Sequence, residues 1–437
     1  MKNYRKLVPV VMVVVMILSW YMLISSKMSV NKEYNKYLTE ARKYADINVT
    51  KYAVENYSKA LGVKSSVDVY AEVSDYYSRQ ENSYDAWLAW CETFFEQYPK
   101  NPKAYDCILQ NYMSVKDYSN CYSILDIADK RKVSSDYIQS VKDEIEYKYR
   151  MDLNSYDDVS IYSNNFCAVK VNNNWGYVDR YGNSKIQKKY KNADVFSGAG
   201  YAAVTDKNGD SYFIDKTDSK VKATNEQYKQ FGILINGILL AQTPNGKYSY
   251  LDENFKKLFG DYDNATAING EIGAVKNGSK WKLIDKNGKE INSTEYDDVV
   301  VDEKNIAYRN DRLFVKTGSG YIMIDSSGKQ IGSDVYEDAK LFSDKTYAAV
   351  KQSGKWFFID KDGKRHSDKT YNDARSYMNG MAAVMINGKW GFVDSNEEIK
   401  IELSYNDAKD FNEKGSCFVK VGDKWQLLKL YRLNRED

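Results

Sequence analysis

Apolar residues are arranged along this chain in three regimes. From Leu7 to Ile24 they are continuous and carry no charge. From about residue 30 to 150 they recur at helical spacing. Trp87, Trp90, Phe94 and Phe95 form one such face; Tyr105, Ile108, Leu109 and Tyr112 form a second; Cys121, Ile124, Leu125 and Ala128 form a third. Recurrence at i, i+3, i+4 and i+7 predicts amphipathic helices. From Tyr156 onward the apolar residues fall in short runs such as Trp356-Phe357-Phe358-Ile359 and Ala382-Ala383-Val384, divided by turn residues. Runs of that length predict short strands buried on both faces. The expected order is one apolar helix, a helical region, then an all-β region.

The apolar run over 7–26 is just long enough to cross a bilayer as a helix, which takes roughly 17–25 residues. Pro9 sits in its first turn, where a missing N–H is tolerated, and Trp20 and Tyr21 lie where an interfacial aromatic belt would be. Lys2, Arg5 and Lys6 precede the run with no acidic residue among them. By the positive-inside rule residues 1–6 are then cytoplasmic and everything after Lys27 is extracytoplasmic. The expectation is a single-pass cell-membrane protein held by a signal-anchor at 7–26. A cleaved signal peptide and a buried core helix stay open as alternatives; the exit Ile24-Ser25-Ser26-Lys27 is a poor cleavage site.

Glycine marks the next boundary. Of 25 glycines only Gly62 precedes residue 150, so a helical part (27–150) gives way to a part punctuated by turns. Within the helical part, Ala60 and Phe94, and Val69 and Tyr105, occupy matching places about 34–36 residues apart. This region resembles degenerate tetratricopeptide repeats, with the Asn101-Pro102 entry present and the usual first-helix glycine missing. The resemblance implies a groove for peptides or proteins.

The β part (151–432, followed by a tail at 433–437) repeats a unit of about 35 residues. Its first half is Tyr-Asp-x-Ala, beginning at Tyr156, Tyr190, Tyr262, Tyr296, Tyr336, Tyr371 and Tyr405, with a worn copy at Tyr228. Its second half is Trp-x-aromatic-Ile/Val-Asp, beginning at Trp175, Tyr212, Tyr248, Trp281, Tyr321, Trp356 and Trp390, with a last half-copy at Trp425. An Asp-x-x-Gly turn follows at Asp179-Gly182, Asp285-Gly288, Asp325-Gly328 and Asp360-Gly363. Asp at the first position of a type I turn accepts backbone N–H bonds, and Gly at the fourth takes the left-handed conformation.

These units resemble the WG-repeat (KWG) family of bacterial proteins. The signature is fullest at Lys389-Trp390-Gly391-Phe392-Val393-Asp394 and Trp175-Gly176-Tyr177-Val178-Asp179. The array opens on a first half and ends on a second half, so pairing the Trp425 half with the Tyr156 half would close a ring. The expected fold class is α + β multidomain: the transmembrane helix, the tetratricopeptide-like helical region, and an eight-unit β-propeller-like ring that removes both exposed sheet edges. An open β-solenoid is the rival.

Charge and composition narrow the chemistry. Lys and Arg number 63 against 61 Asp and Glu, a balance that argues against a nucleic-acid surface. The one histidine, His366, reads as an exposed loop residue. No Gly-rich phosphate loop, Gly-x-Ser-x-Gly, Cys-x-x-Cys or His-Glu-x-x-His occurs, so no catalytic, cofactor-binding or metal-binding residue is expected. Asp360-Lys361-Asp362-Gly363 lacks the remaining ligands of a calcium loop. Five cysteines do not make a disulfide framework. Cys91, Cys107 and Cys121 read as core. Cys167 and Cys417 occupy the same strand position in the first and last units and are candidates for a disulfide across the closure; otherwise they are small buried side chains. Trp175, Trp281, Trp356 and Trp390 are either core or ligand-facing aromatics. The functional expectation is a non-enzymatic, membrane-anchored module that binds a protein or a cell-wall polymer, with glycan binding through exposed aromatic rings as the alternative.

Overall fold

The computed structural model describes residues 4–197, 200–221, 228 and 230–433, with only the backbone described for 4–14. It divides into two compact units, 1–146 and 147–437.

The first unit is helical: α1 (Tyr4–Asp46), α2 (Thr50–Val63), α3 (Val67–Ser78), α4 (Tyr84–Gln97), α5 (Pro102–Ser114), α6 (Tyr118–Arg131) and α7 (Asp136–Ile145). Side chains cap several of the starts. Ser66, Asn101, Asp117 and Ser135 each accept a hydrogen bond from a backbone N–H of the first turn, and Pro102 stands at the first position of α5, where it has no N–H to leave unpaired. Glu72 on α3 ties three helices together. It takes two bonds of 2.7 Å from Arg42 of α1 and one of 2.7 Å from the Tyr57 hydroxyl of α2. The Arg42 bond pulls the Glu72 carboxyl below its usual range against the effect of burial. Cys91 of α4 and Cys107 of α5 form a disulfide, where core thiols are expected from the sequence.

The expected membrane span is corrected. Among the described residues no helix is long and apolar enough to cross a membrane, so the signal-anchor at 7–26, the membrane partner and the single-pass cell-membrane placement fall with it. Residues 1–3 of the expected cytoplasmic end lie outside the described residues. The apolar run is not a helix of its own. It is the start of α1, which continues past Lys27, Lys32, Glu33 and Lys36 to Asp46, and its side chains from Val15 to Ile24 are exposed.

The second unit consists, among the described residues, of eight antiparallel sheets of three or four strands. In chain order they are sheet 1 (158–190), sheet 2 (192–215), sheet 3 (230–262), sheet 4 (264–285), sheet 5 (298–324), sheet 6 (338–359), sheet 7 (373–405) and sheet 8 (407–430). Sheet 8 is completed by the strand Tyr149–Tyr156, which pairs antiparallel with Lys424–Leu430 and sets Tyr156 opposite Trp425. Buried apolar clusters join each sheet to the next: Tyr177 with Phe196, Phe213 with Phe231, Tyr250 with Val275, Trp281 with Val315, Phe314 with Phe357, Trp356 with Ala382 and Phe392 with Phe411. An eighth cluster returns from sheet 8 to sheet 1, setting Phe418 and Trp425 against Cys167 and Val178.

The fold class is therefore corrected in its β part as well. The unit is β-propeller-like, but no sheet is closed, and neither the edgeless ring nor the open β-solenoid describes it. Each sheet except sheet 3, whose first strand is Gln230–Ile235, opens on a two-residue strand such as Asp298–Val299 or Asp373–Ala374 that pairs only with the second strand of its own sheet. Strands that short leave little backbone with which to join neighbouring sheets. Closure rests on side-chain packing and on the one sheet that the two ends of the region share.

The sequence repeat straddles two sheets. In the Tyr-Asp-x-Ala motif the Tyr pairs back onto the Trp or Tyr of the preceding second half. The pairs are Tyr190 with Trp175, Tyr262 with Tyr248, Tyr296 with Trp281, Tyr336 with Tyr321, Tyr371 with Trp356 and Tyr405 with Trp390. The Ala two residues beyond the Asp already belongs to the next sheet.

In sheets 1 and 7, glycine after the Trp lets the outer strand run close against it. A Cβ on Gly176 would lie 2.5 Å from the Ile186 carbonyl oxygen, and one on Gly391 would lie 2.6 Å from that of Ile401. Both sheets carry a seven-residue fourth strand (Ser184–Tyr190, Ile399–Tyr405). Where Lys282 or Phe357 follows the Trp, only an isolated bridge to the Tyr survives. Replacing Gly391 by Ala should destabilise the unit by about 1–3 kcal/mol through overpacking against a backbone that cannot yield, read as a fall in the urea midpoint. The exposed Gly318, with a φ outside the left-handed region and nothing within 4 Å of its Cβ position, should cost less on the same change.

Candidate functional site

The segments that follow the two-residue strands of sheets 5, 6, 7, 8 and 1 line a cavity of 510 Å³. In sheets 6, 7 and 8 the residue directly after the motif Ala is basic: Lys340, Arg375 and Lys409. All three line the cavity. Each cation lies over the Trp of its own sheet, at 5.0 Å from the Trp356 ring centre, 5.4 Å from Trp390 and 5.7 Å from Trp425. A cation within about 6 Å of an indole face is attracted by the ring quadrupole, so the Trp is a platform that holds a charge at the wall.

The cations differ in how well they are matched. Lys409 Nζ is 2.7 Å from Glu303 Oε1, and Arg309 donates to Asp302 at 2.5 and 2.9 Å. Arg375 reaches Asp407 only at 3.5 Å, and its Nε is buried without a hydrogen-bond partner. Lys340 forms no ion pair among the described residues, and neither does Lys304. Burial, reinforced by Arg309, pushes the half-buried Lys304 ammonium below its usual range. Asp410, also in the lining, accepts from Ser343 at 3.1 Å through one oxygen and buries the other unpartnered; burial raises its carboxyl.

The structure places the candidate aromatics away from ligand contact. Trp281, Trp356 and Trp390 are buried and Trp175 is half-buried. Besides the wall cations, the cross-strand neighbours Lys170 and Lys276 lie 5.8 and 6.0 Å from the rings of Trp175 and Trp281. The candidate disulfide between Cys167 and Cys417 is not formed; both are the small buried side chains of the other reading, with free thiols. They project into different interfaces, Cys167 between sheets 8 and 1 and Cys417 between sheets 7 and 8, so sharing a strand position in adjacent sheets does not bring them together. Burial pushes the Cys167 thiol up to about 12 and raises that of Cys417 well above its ordinary value. His366 is half-buried rather than exposed. Its ring stacks 4.0 Å from Tyr347, and Nε2 lies 2.8 Å from the Ser395 carbonyl.

The basic arc escapes a search for charge blocks, because its members lie about 35 residues apart. Its signal is periodic: Tyr336-Glu-Asp-Ala-Lys340, Tyr371-Asn-Asp-Ala-Arg375 and Tyr405-Asn-Asp-Ala-Lys409. The same position in sheets 1, 2, 4 and 5 holds Ser160, Asp194, Thr266 and Val300, and in the worn copy of sheet 3 Gly232, so the positive wall is confined to part of the array.

Comparison with known proteins agrees with the repeat. A family model described as WG containing repeat matches five segments, 155–175, 175–209, 323–356, 356–390 and 390–425, which together amount to less than half of the chain. Among curated proteins none matches. Among solved structures the chain is similar to BamB from Moraxella catarrhalis, at 12% identity and a TM-score of 0.42 over 64% of this chain and 100% of that one. It is also similar to a structure titled as the eukaryotic initiation factor, at 9% identity and 0.43 over 67% and 89%, and to the WD40 beta propeller domain of Doa1, at 10% identity and 0.32 over 65% and 97%. The chain is thus a repeat protein.

Two predictions follow from these surroundings. In denaturant without reductant three thiols should titrate, and five after reduction, as three free cysteines and one disulfide require; in the native protein Cys167 and Cys417 should resist a thiol reagent. Asp194 is half-buried without a side-chain partner among the described residues, and burial raises its carboxyl to about 6. The folded form then holds its proton more tightly than the unfolded chain, so the stability it contributes is complete below about pH 4 and is lost as pH rises through about 6. Asp194→Asn should stabilise the protein at pH 7 by about 1–2 kcal/mol, discounted for partial exposure. The gain should vanish below pH 4 in thermal melts across that range.

Proposed function

We propose that this chain is a non-catalytic binding protein whose β unit grips a partner protein through the cation-lined cavity. We read the helical unit as a degenerate tetratricopeptide-like array that offers a second docking surface for peptides. The observation that carries the first reading is the set of Lys340, Arg375 and Lys409, placed by the repeat at equivalent positions and held over Trp rings at the wall of one cavity. Long, fixed cations at a concave wall suit recognition. The Cys417 thiol in the lining is kept protonated by burial, which disarms it as a nucleophile. Most of the acids at the wall are engaged with cations or with a hydroxyl. Glycan stacking on the candidate Trp rings has less support, because those rings are largely covered by cations and neighbouring strands.

Affinity capture with the full chain, run beside the Lys304→Gln/Lys340→Gln double variant and beside sedimentation with isolated cell wall, tests this. The expected outcome is a defined set of proteins retained by the native chain and lost from the variant. Sedimentation with cell wall and an identical protein set from both chains would overturn it.

A further inference from the structure

We infer that the cavity is a carboxylate-binding site, shaped for an acidic stretch of peptide, in which Lys304, Lys340 and Arg375 receive the anions. The inference rests on the protein-binding reading above and names what the cavity takes.

Three observations converge on it. The first is charge. The lining holds seven Lys and Arg side chains against four Asp and Glu, and two of those acids are already committed, Asp302 to Arg309 and Glu303 to Lys409. The excess is positive, and among the described residues Lys304 and Lys340 are not neutralised within the wall. The second is partial burial without a partner. Lys304 and Lys340 form no ion pair among the described residues, and Arg375 buries an N–H with nothing to accept it. A charge withdrawn from water without a counter-ion is costly, and a ligand that supplies the counter-ion recovers that cost on binding. The third is distribution. Lys304, Lys340 and Arg375 come from the loops of three consecutive sheets, so the anions they match are spaced along a ligand.

Phosphate groups are commonly cradled by clustered backbone N–H groups at a helix start or in a nest. The unmatched donors here are separate, long side chains on different elements. Val301, exposed, and Met378, half-buried, share the lining and suit the methylene stems of acidic side chains. Such a ligand is an extended peptide carrying several Glu or Asp. Free dicarboxylates share the chemistry and differ in having no chain to span the wall.

The test is isothermal titration of the full chain with acetylated hexaglutamate, hexaglutamine, glutarate and inorganic phosphate, at low and moderate salt. The proposal expects one hexaglutamate site that weakens with salt, and no binding of hexaglutamine. Lys304→Gln and Lys340→Gln should each lower the affinity at least tenfold while Lys340→Arg restores most of it. Lys282→Gln, which removes an exposed contact to Glu290 outside the lining, should change nothing. Lys304→Gln should fold at least as stably as the native chain, because it removes a half-buried charge that lacks a partner; the melting temperature checks this independently of binding. Glutarate binding at the same residues without hexaglutamate binding keeps the carboxylate site and overturns the peptide. Binding of phosphate alone, binding of hexaglutamine equal to that of hexaglutamate, or hexaglutamate binding indifferent to both lysine changes overturns the site itself. If hexaglutamate binds as expected while the capture experiment returns no protein, the site stands and the protein-partner reading fails.

Discussion

In seven of the eight sheets the architecture depends on one cross-strand contact, the pairing of a motif Tyr with the Trp or Tyr that begins the preceding strand. At Trp281 and Tyr296 the two residues exchange both backbone hydrogen bonds, at 2.8 and 2.9 Å, and Trp356 with Tyr371 does the same at 3.0 and 2.8 Å. Aromatic pairs across strands are among the stronger units of sheet stability. Because this contact joins the end of one sequence unit to the beginning of the next, the repeating unit of sequence and the sheet are offset. The offset leaves an unpaired Tyr at one end of the array and an unpaired Trp at the other. Tyr156 and Trp425 complete each other, and Lys424 pairs with Asp157 beside them, as Lys280 does with Asp297 and Lys247 with Asp263 inside the array.

The same aromatic position serves the wall of the cavity. In sheets 6 to 8 the ring carries the cation that projects to the cavity. The Trp side chains are recurring features of the unit's geometry rather than contacts for a ligand, and the variation that matters lies one residue past the Ala. The Asp of each turn is likewise fixed by local chemistry. Asp360 Oδ1 accepts from the backbone N–H groups of Asp362 and Lys364 at 2.9 Å each, and Asp285 and Asp325 repeat the arrangement, which explains the recurrence without a metal.

What could be read from the sequence is what acts over a short window. The helix faces, the Asp-x-x-Gly turns and the strand halves depend on neighbours within a few residues, and the structure has them where the pattern predicts. The end-to-end pairing of Trp425 with Tyr156 was visible as complementarity, because the array begins and ends on unlike halves. The open sheet edges were not, because a two-residue strand cannot be told from a longer one by its apolar content. Cys167 and Cys417 look like neighbours in a repeat alignment, yet which interface a strand residue enters depends on the face it occupies. The span at 7–26 was inferred from a local apolar count, and that count does not see that the helix continues to Asp46. The basic arc was present in the motif all along, but a charge that recurs once per repeat does not register as a patch.

The strand Tyr149–Tyr156 is made before every other strand of its unit, yet its partner, Lys424–Leu430, is made after all of them. During synthesis on the ribosome this first strand must wait, with its hydrogen-bonding edge open, while seven sheets assemble downstream. A nascent chain halted short of Trp425 would leave that edge bare and the interface between the outermost sheets unfilled, an invitation to pair with a neighbouring chain. Integrity of the whole unit is thereby checked only when its last strand has been made.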